Sequence, residues 1–91
     1  MARIHIPALV QDLTHQATVE VEIPAGELRT VGQVLGQLDA RFPGLQERLL
    51  YQGDLMPGIA VFVDNEQGFM KLQEKVRPTS DVHFLPPIVG G

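Results

Sequence analysis

A chain of 91 residues, 44% hydrophobic and 20% charged, has the size and composition of one small domain, with room for a core but not for a core plus a roomy internal active site. Its net charge of -4, from 11 acidic and 7 basic side chains, leaves no electrostatic footprint for a nucleic-acid backbone and favours partners with basic surfaces. Cysteine is absent, which excludes disulfides, thiolate zinc sites and cysteine nucleophiles within the chain. The longest apolar run is the five residues Ile59 to Val63, so no secretory or membrane-spanning segment is expected and a cytoplasmic location is.

In chain order, Ile4 and Ile6 alternate with Arg3 and His5, the period of a half-buried strand that Pro7 confines to an edge or an end. Thr18 to Ile23 alternates strictly, with Val19, Val21 and Ile23 on one face and Glu20 and Glu22 on the other, so the two segments predict an antiparallel hairpin. Pro24-Ala25-Gly26 breaks the second strand. Thr30 followed by Gln33 then forms a capping box for a helix starting at Val31, in which Val31, Val34, Leu35 and Leu38 make one apolar stripe. Gly32 and Gly36 weaken that helix by about 1 kcal/mol each relative to alanine, so packing must hold it.

Arg41-Phe42-Pro43-Gly44 ends the helix, and Leu45 to Leu50 predicts a short second one with Leu45 and Leu49 facing inward. After a loop containing Gly53, Pro57 and Gly58, the unbroken apolarity of Ile59 to Val63 predicts a central strand covered on at least one side. Asp64 to Gly68 is a turn signal, Phe69 to Leu72 a weaker strand or irregular segment, and Val82 to Leu85 the last strand. No repeat or internal domain boundary interrupts this order. The expected domain covers residues 1–85, followed by a flexible tail, 86–91.

That tail, Pro86-Pro87-Ile88-Val89-Gly90-Gly91, ends in an unhindered α-carboxylate. With a pKa of about 3.3–3.7 the group is ionised near neutral pH and can attack an activated phosphate without a general base. Glycine's missing side chain suits a narrow channel in a partner enzyme, while two prolines stiffen the base of the tail and limit the entropy lost on insertion.

The order of elements and the Gly-Gly ending resemble the ubiquitin-like β-grasp fold, an α+β architecture with a mixed four- to five-stranded sheet crossed by one main helix. More narrowly, Asp81-Val82-His83-Phe84-Leu85-Pro86-Pro87-Ile88-Val89-Gly90-Gly91 resembles the end of the small subunit of molybdopterin synthase and its sulfur-carrier relatives in thiamine and cysteine biosynthesis. Val61-Phe62-Val63-Asp64-Asn65-Glu66 is similar to that family's third strand and following turn. The stretch from Tyr51 to Gly58 is longer than a minimal member needs.

The resemblance implies a non-catalytic carrier. A ubiquitin-activating-like adenylyltransferase would use ATP-Mg to adenylate Gly91, a sulfur donor would convert the adenylate to a thiocarboxylate, and an acceptor synthase would consume the sulfur. Gly91 would carry the sulfur, Gly90, Val89, Ile88, Pro87 and Pro86 would occupy the partner's channel, and no cofactor would be permanently bound. The same likeness allows a protein modifier joined to target lysines through Gly91. A third reading is a β-grasp interaction module whose glycines are incidental.

If Val82 and Phe84 face the helix, His83 and Leu85 point outward, and either Phe62 or its neighbours Val61 and Val63 share that face. Phe62 and Leu85, with Ile88, are the expected apolar partner contacts; the competing assignment for Phe62 is the core. His5, His15 and His83 lack metal-ligand spacing, although His5 and His83 could meet on adjacent strands, and no metal site is expected. Asp64 to Gly68 lacks the acidic spacing of a calcium loop. Lys71 and Lys75 lie one helical turn apart on paper and are expected to be solvated, and Ser80, the only serine, has no nucleophile-elbow context.

Overall fold

The computed structural model describes residues 1–85. Strand β1 (Ala2–His5) leads through a single 3-10 turn into a four-residue helix α1 (Gln11–Thr14), and β2 (Thr18–Val21) returns beside β1. A two-residue strand β3 (Arg29–Thr30) precedes the main helix α2 (Val31–Arg41) and the short α3 (Leu45–Leu49). The hairpin β4 (Leu50–Tyr51) and β5 (Asp54–Leu55) follows, then β6 (Ala60–Val63), β7 (Glu66–Gln67), β8 (Lys75–Val76) and β9 (Asp81–Leu85). The principal sheet has the order β2-β1-β9-β6-β7, antiparallel throughout except for the β1–β9 pair, and this mixed sheet with α2 packed on it is the β-grasp architecture.

The predicted hairpin forms, pairing Ala2 with Val21 and His5 with Thr18. Its second strand stops at Val21 rather than Ile23, yet Ile23 is buried, so the hydrophobic pattern outlasts the ladder. The capping box is present at both ends: the Gln33 backbone N–H donates to Thr30 Oγ1 at 3.0 Å, and the Thr30 N–H donates to Gln33 Oε1 at 2.8 Å. All four stripe residues of α2 are at most 1% exposed. Burying each stabilises the fold by about 1.5–3 kcal/mol, which outweighs the roughly 1 kcal/mol lost at each of the two helix glycines. The helix ends at Arg41 as expected, and Arg41 reaches back to donate a 3.0 Å hydrogen bond to the Glu20 carbonyl of the edge strand β2. Leu45 and Leu49 of α3 are buried.

One expectation changes in detail. The middle of the sheet is β9, with β6 second from the edge, because β1 and β9 pair in parallel across almost the whole chain length. Of the two readings of Phe69 to Leu72, the irregular one holds: a turn leads into a 3-10 helix over Lys71–Gln73. Lys71, in the 3-10 helix, and Lys75, in β8, are both exposed, as expected.

Ser80 has a structural role: its Oγ donates to Asp64 Oδ2 and accepts from the Arg77 backbone N–H, both at 2.9 Å. Asp64 also accepts from the Asp81 N–H at 2.9 Å and donates its own N–H to the Asp81 carbonyl at 2.8 Å. These bonds tie the β6–β7 turn to the start of β9. In that turn Asp64 and Asn65 both have positive φ, 52° and 68°, the geometry that a two-residue hairpin requires.

Candidate functional site

Alternation along the strands divides the sheet into two chemically different faces. Ile4, Val19, Val21, Val61, Val82 and Phe84 are buried beneath α2. The opposite face carries the intervening residues, and the strand registers set them in rows. One row runs Thr18, His5, His83, Phe62, Gln67, and a second runs Glu20, Arg3, Asp81.

Phe62 therefore lies on the outer face, half-buried, which resolves the choice between it and Val61 or Val63; Val61 is in the core. Leu85 pairs with Ala60 and is 43% exposed, diagonal to Phe62 across the β6–β9 ladder. Leu85 also helps to line an apolar groove of about 390 Å³, together with Leu9, Leu49, Met56, Ile59 and Phe84. This groove sits where β9 hands over to the tail. Leu9 comes from the turn after β1 and Met56 and Ile59 from the loop between β5 and β6, and only the tertiary arrangement brings them together. Pro86, Pro87, Ile88, Val89, Gly90 and Gly91, expected to enter a partner's channel, lie outside the described residues.

His5 and His83 do meet. Their ring centroids are 3.7 Å apart with planes 8° from parallel, and His5 Nε2 lies 3.3 Å from Asp81 Oδ1. Arg3 Nε is 3.8 Å from the same carboxylate oxygen. Partial burial is the largest influence on His83 and pushes its pKa below the usual histidine range, helped by the neighbouring His5 and opposed by Asp81. Two unit charges 4 Å apart repel by about 4 kcal/mol at an effective dielectric near 20, so the stack tolerates one proton far better than two.

Parallel rings also direct their nitrogen lone pairs along parallel planes instead of toward a shared point, a poor arrangement for chelation. Among the described residues no group of three or more His, Cys, Asp or Glu side chains is placed to hold a metal ion, and no helix is long and apolar enough to cross a membrane.

Comparison with known proteins matches a family model, that of the ThiS family, over residues 4–91. The chain belongs to the ThiS family. Its members are ubiquitin-like sulfur carriers, and the match takes in both the folded domain and the Gly-Gly ending. The solved structure of the Amycolatopsis orientalis BexX/CysO complex contains a chain similar to this ThiS-family protein at 23% identity, with full coverage of both chains and a TM-score of 0.84. SAMP1 from Haloferax volcanii is 25% identical over 99% of this chain and 98% of its own, with a TM-score of 0.76. Mycobacterium tuberculosis CysO is 24% identical over 97% of this chain and 100% of its own, with a TM-score of 0.79. The search of curated proteins gave no match. Together the family and the fold assign the chain a carrier or modifier role.

Proposed function

We propose that this ThiS-family chain is a sulfur carrier that works through a thiocarboxylate on Gly91. The observation that carries the reading is the family match, which extends through residue 91 and so includes the glycine ending. The ionised carboxylate attacks the α-phosphorus of ATP-Mg on a ubiquitin-activating-like adenylyltransferase, pyrophosphate leaves, and an acyl-adenylate forms. Adenylation is needed because a carboxylate is a poor electrophile, whereas AMP is a good leaving group. A sulfide or persulfide donor attacks the carbonyl carbon and AMP departs; with a persulfide, a second thiol releases the carrier by attacking the S–S bond. An acceptor synthase then consumes the sulfur in making molybdopterin, thiamine, cysteine or a related metabolite.

In this scheme catalysis belongs to the partners, and the carrier supplies an end group and a docking surface. Residues 1–85 form the recognition domain and residues 86–91 the tail, with Gly90, Val89, Ile88, Pro87 and Pro86 entering the partner's channel. Phe62 and Leu85 dock on the partner beside it. The half-burial of Phe62 and the exposure of Leu85 at the mouth of the apolar groove support that assignment.

Similarity to SAMP1 favours a second reading, a modifier joined to target lysines through Gly91; the corresponding protein of Methanosarcina acetivorans is described as a small archaeal modifier protein. Top-down mass spectrometry of protein from its native host separates the two. Fragmentation at the C-terminus is expected to place sulfur for oxygen at Gly91. A plain carboxylate in every preparation, with Gly91 found in isopeptide links to other proteins, overturns the carrier reading in favour of the modifier. Intact mass alone does not serve, because oxidation of one of the three methionines gives nearly the same gain.

A further inference from the structure

The two histidines of the outer face are the one pair of titratable rings that the carrier chemistry leaves unused. They come from opposite ends of the chain, on strands paired in parallel with His5 directly beside His83. Their rings are stacked at 3.7 Å, and among the described residues one carboxylate, Asp81, lies within hydrogen-bond distance of His5, at 3.3 Å. The pair occupies the middle of the outer face, next to Phe62 in the same row.

We propose that His5 and His83, with Asp81, form a proton-operated switch on this face: stacked while the pair holds at most one proton, and splayed once both rings are protonated. Of the two rings, His5 is the one whose Nε2 faces the Asp81 carboxylate. A proton on each ring places two cations 3.7 Å apart, and among the described residues His83 has no carboxylate within hydrogen-bond distance. The other groups around the pair do not remove this conflict. On β1, Arg3 adds a positive charge beside Asp81; on β2, Glu20 lies opposite Arg3 in strand register and Thr18 opposite His5; β6 and β7 contribute Phe62 and Gln67, which are uncharged.

The stacked state presents a flat aromatic row, His5–His83–Phe62. The splayed state presents two cations beside Phe62. A partner that docks by apolar contact would therefore meet a different surface on the two sides of the transition. That consequence rests on the docking role proposed for Phe62, but the switch itself is independent of any chemistry at Gly91.

Histidine side-chain NMR of the full chain tests the switch directly. Between pH 8 and pH 5 the His5 and His83 resonances are expected to titrate in two steps separated by more than about one pH unit. Contacts between their ring protons should be present at pH 8 and lost once both rings are protonated. A pair of variants repeats the test without acid: with the fixed cation of His83→Lys, the His5 midpoint should fall below its value in His83→Gln. Independent single-site titrations, ring contacts retained with both rings protonated, or equal His5 midpoints in the two variants would each overturn the proposal.

Discussion

The two faces of the principal sheet are built from the same strands and differ in almost every physical respect. The face beneath α2 is a continuous apolar surface, with Ile4, Val61 and Val82 at most 1% exposed. The other carries two histidines, an arginine, two acidic residues and a half-buried phenylalanine in register. Since successive side chains point to opposite sides of a strand, one set can be chosen for packing and the other for recognition without conflict. Substitution should therefore separate stability from binding by face.

The largest effect is expected inside. Leu35→Ala removes a fully buried side chain from the centre of the α2 stripe and should destabilise the domain by about 2–5 kcal/mol in urea unfolding. Ser80→Ala comes next, because it leaves Asp64 Oδ2 and the Arg77 N–H without their partner at the edge of the two faces. A loss of about 1–3 kcal/mol is expected, together with faster hydrogen exchange at the β6–β7 turn. At Gly36 the effect should reverse sign: an added Cβ would meet only Gln46 Nε2, at 3.8 Å, so Gly36→Ala should stabilise α2 by about 0.4–1 kcal/mol.

The outer face should respond more to pH than to truncation. The unfolded chain protonates His83 near the ordinary value of about 6.5, whereas in the folded chain burial holds the ring below it. Over the window between those values the unfolded state binds more protons. The His83 contribution to stability is therefore fully present above the ordinary value and is lost as pH falls through the window. Unfolding midpoints measured between pH 8 and pH 5 should show this decline, and His83→Gln should flatten it. The smallest stability change is expected for Phe62→Ala, within about 1 kcal/mol in the same unfolding assay. An inner-face value for that substitution, near the one expected for Leu35→Ala, would break the division of labour between the faces.

Much of this was legible in the residues. The alternation of Thr18 to Ile23, the Thr30–Gln33 box and the spacing of Val31, Val34, Leu35 and Leu38 each encode local geometry, and each element formed, the strand ending at Val21 instead of Ile23. What lay beyond local reading depended on residues distant in sequence. The parallel pairing of β1 with β9 joins positions nearly 80 residues apart, and no periodicity within either strand states which neighbour it will take. The same holds for the two-residue strands β3 and β8, too short to leave a pattern.

The candidate site divides along the same line. The sequence by itself determined the composition of the tail, its glycine ending and the apolar residues available beside it, because these are chemical properties of a contiguous segment. It also determined which residues alternate with the core positions, since a strand has a period of two. Only the tertiary structure decided that Phe62 lies outward, that His5 stacks on His83 beside Asp81, and that Leu9, Met56 and Ile59 meet Leu85 in one groove. Those relations follow from strand order and register, which are set by the burial of a whole face against α2 rather than by the local preference of any one segment.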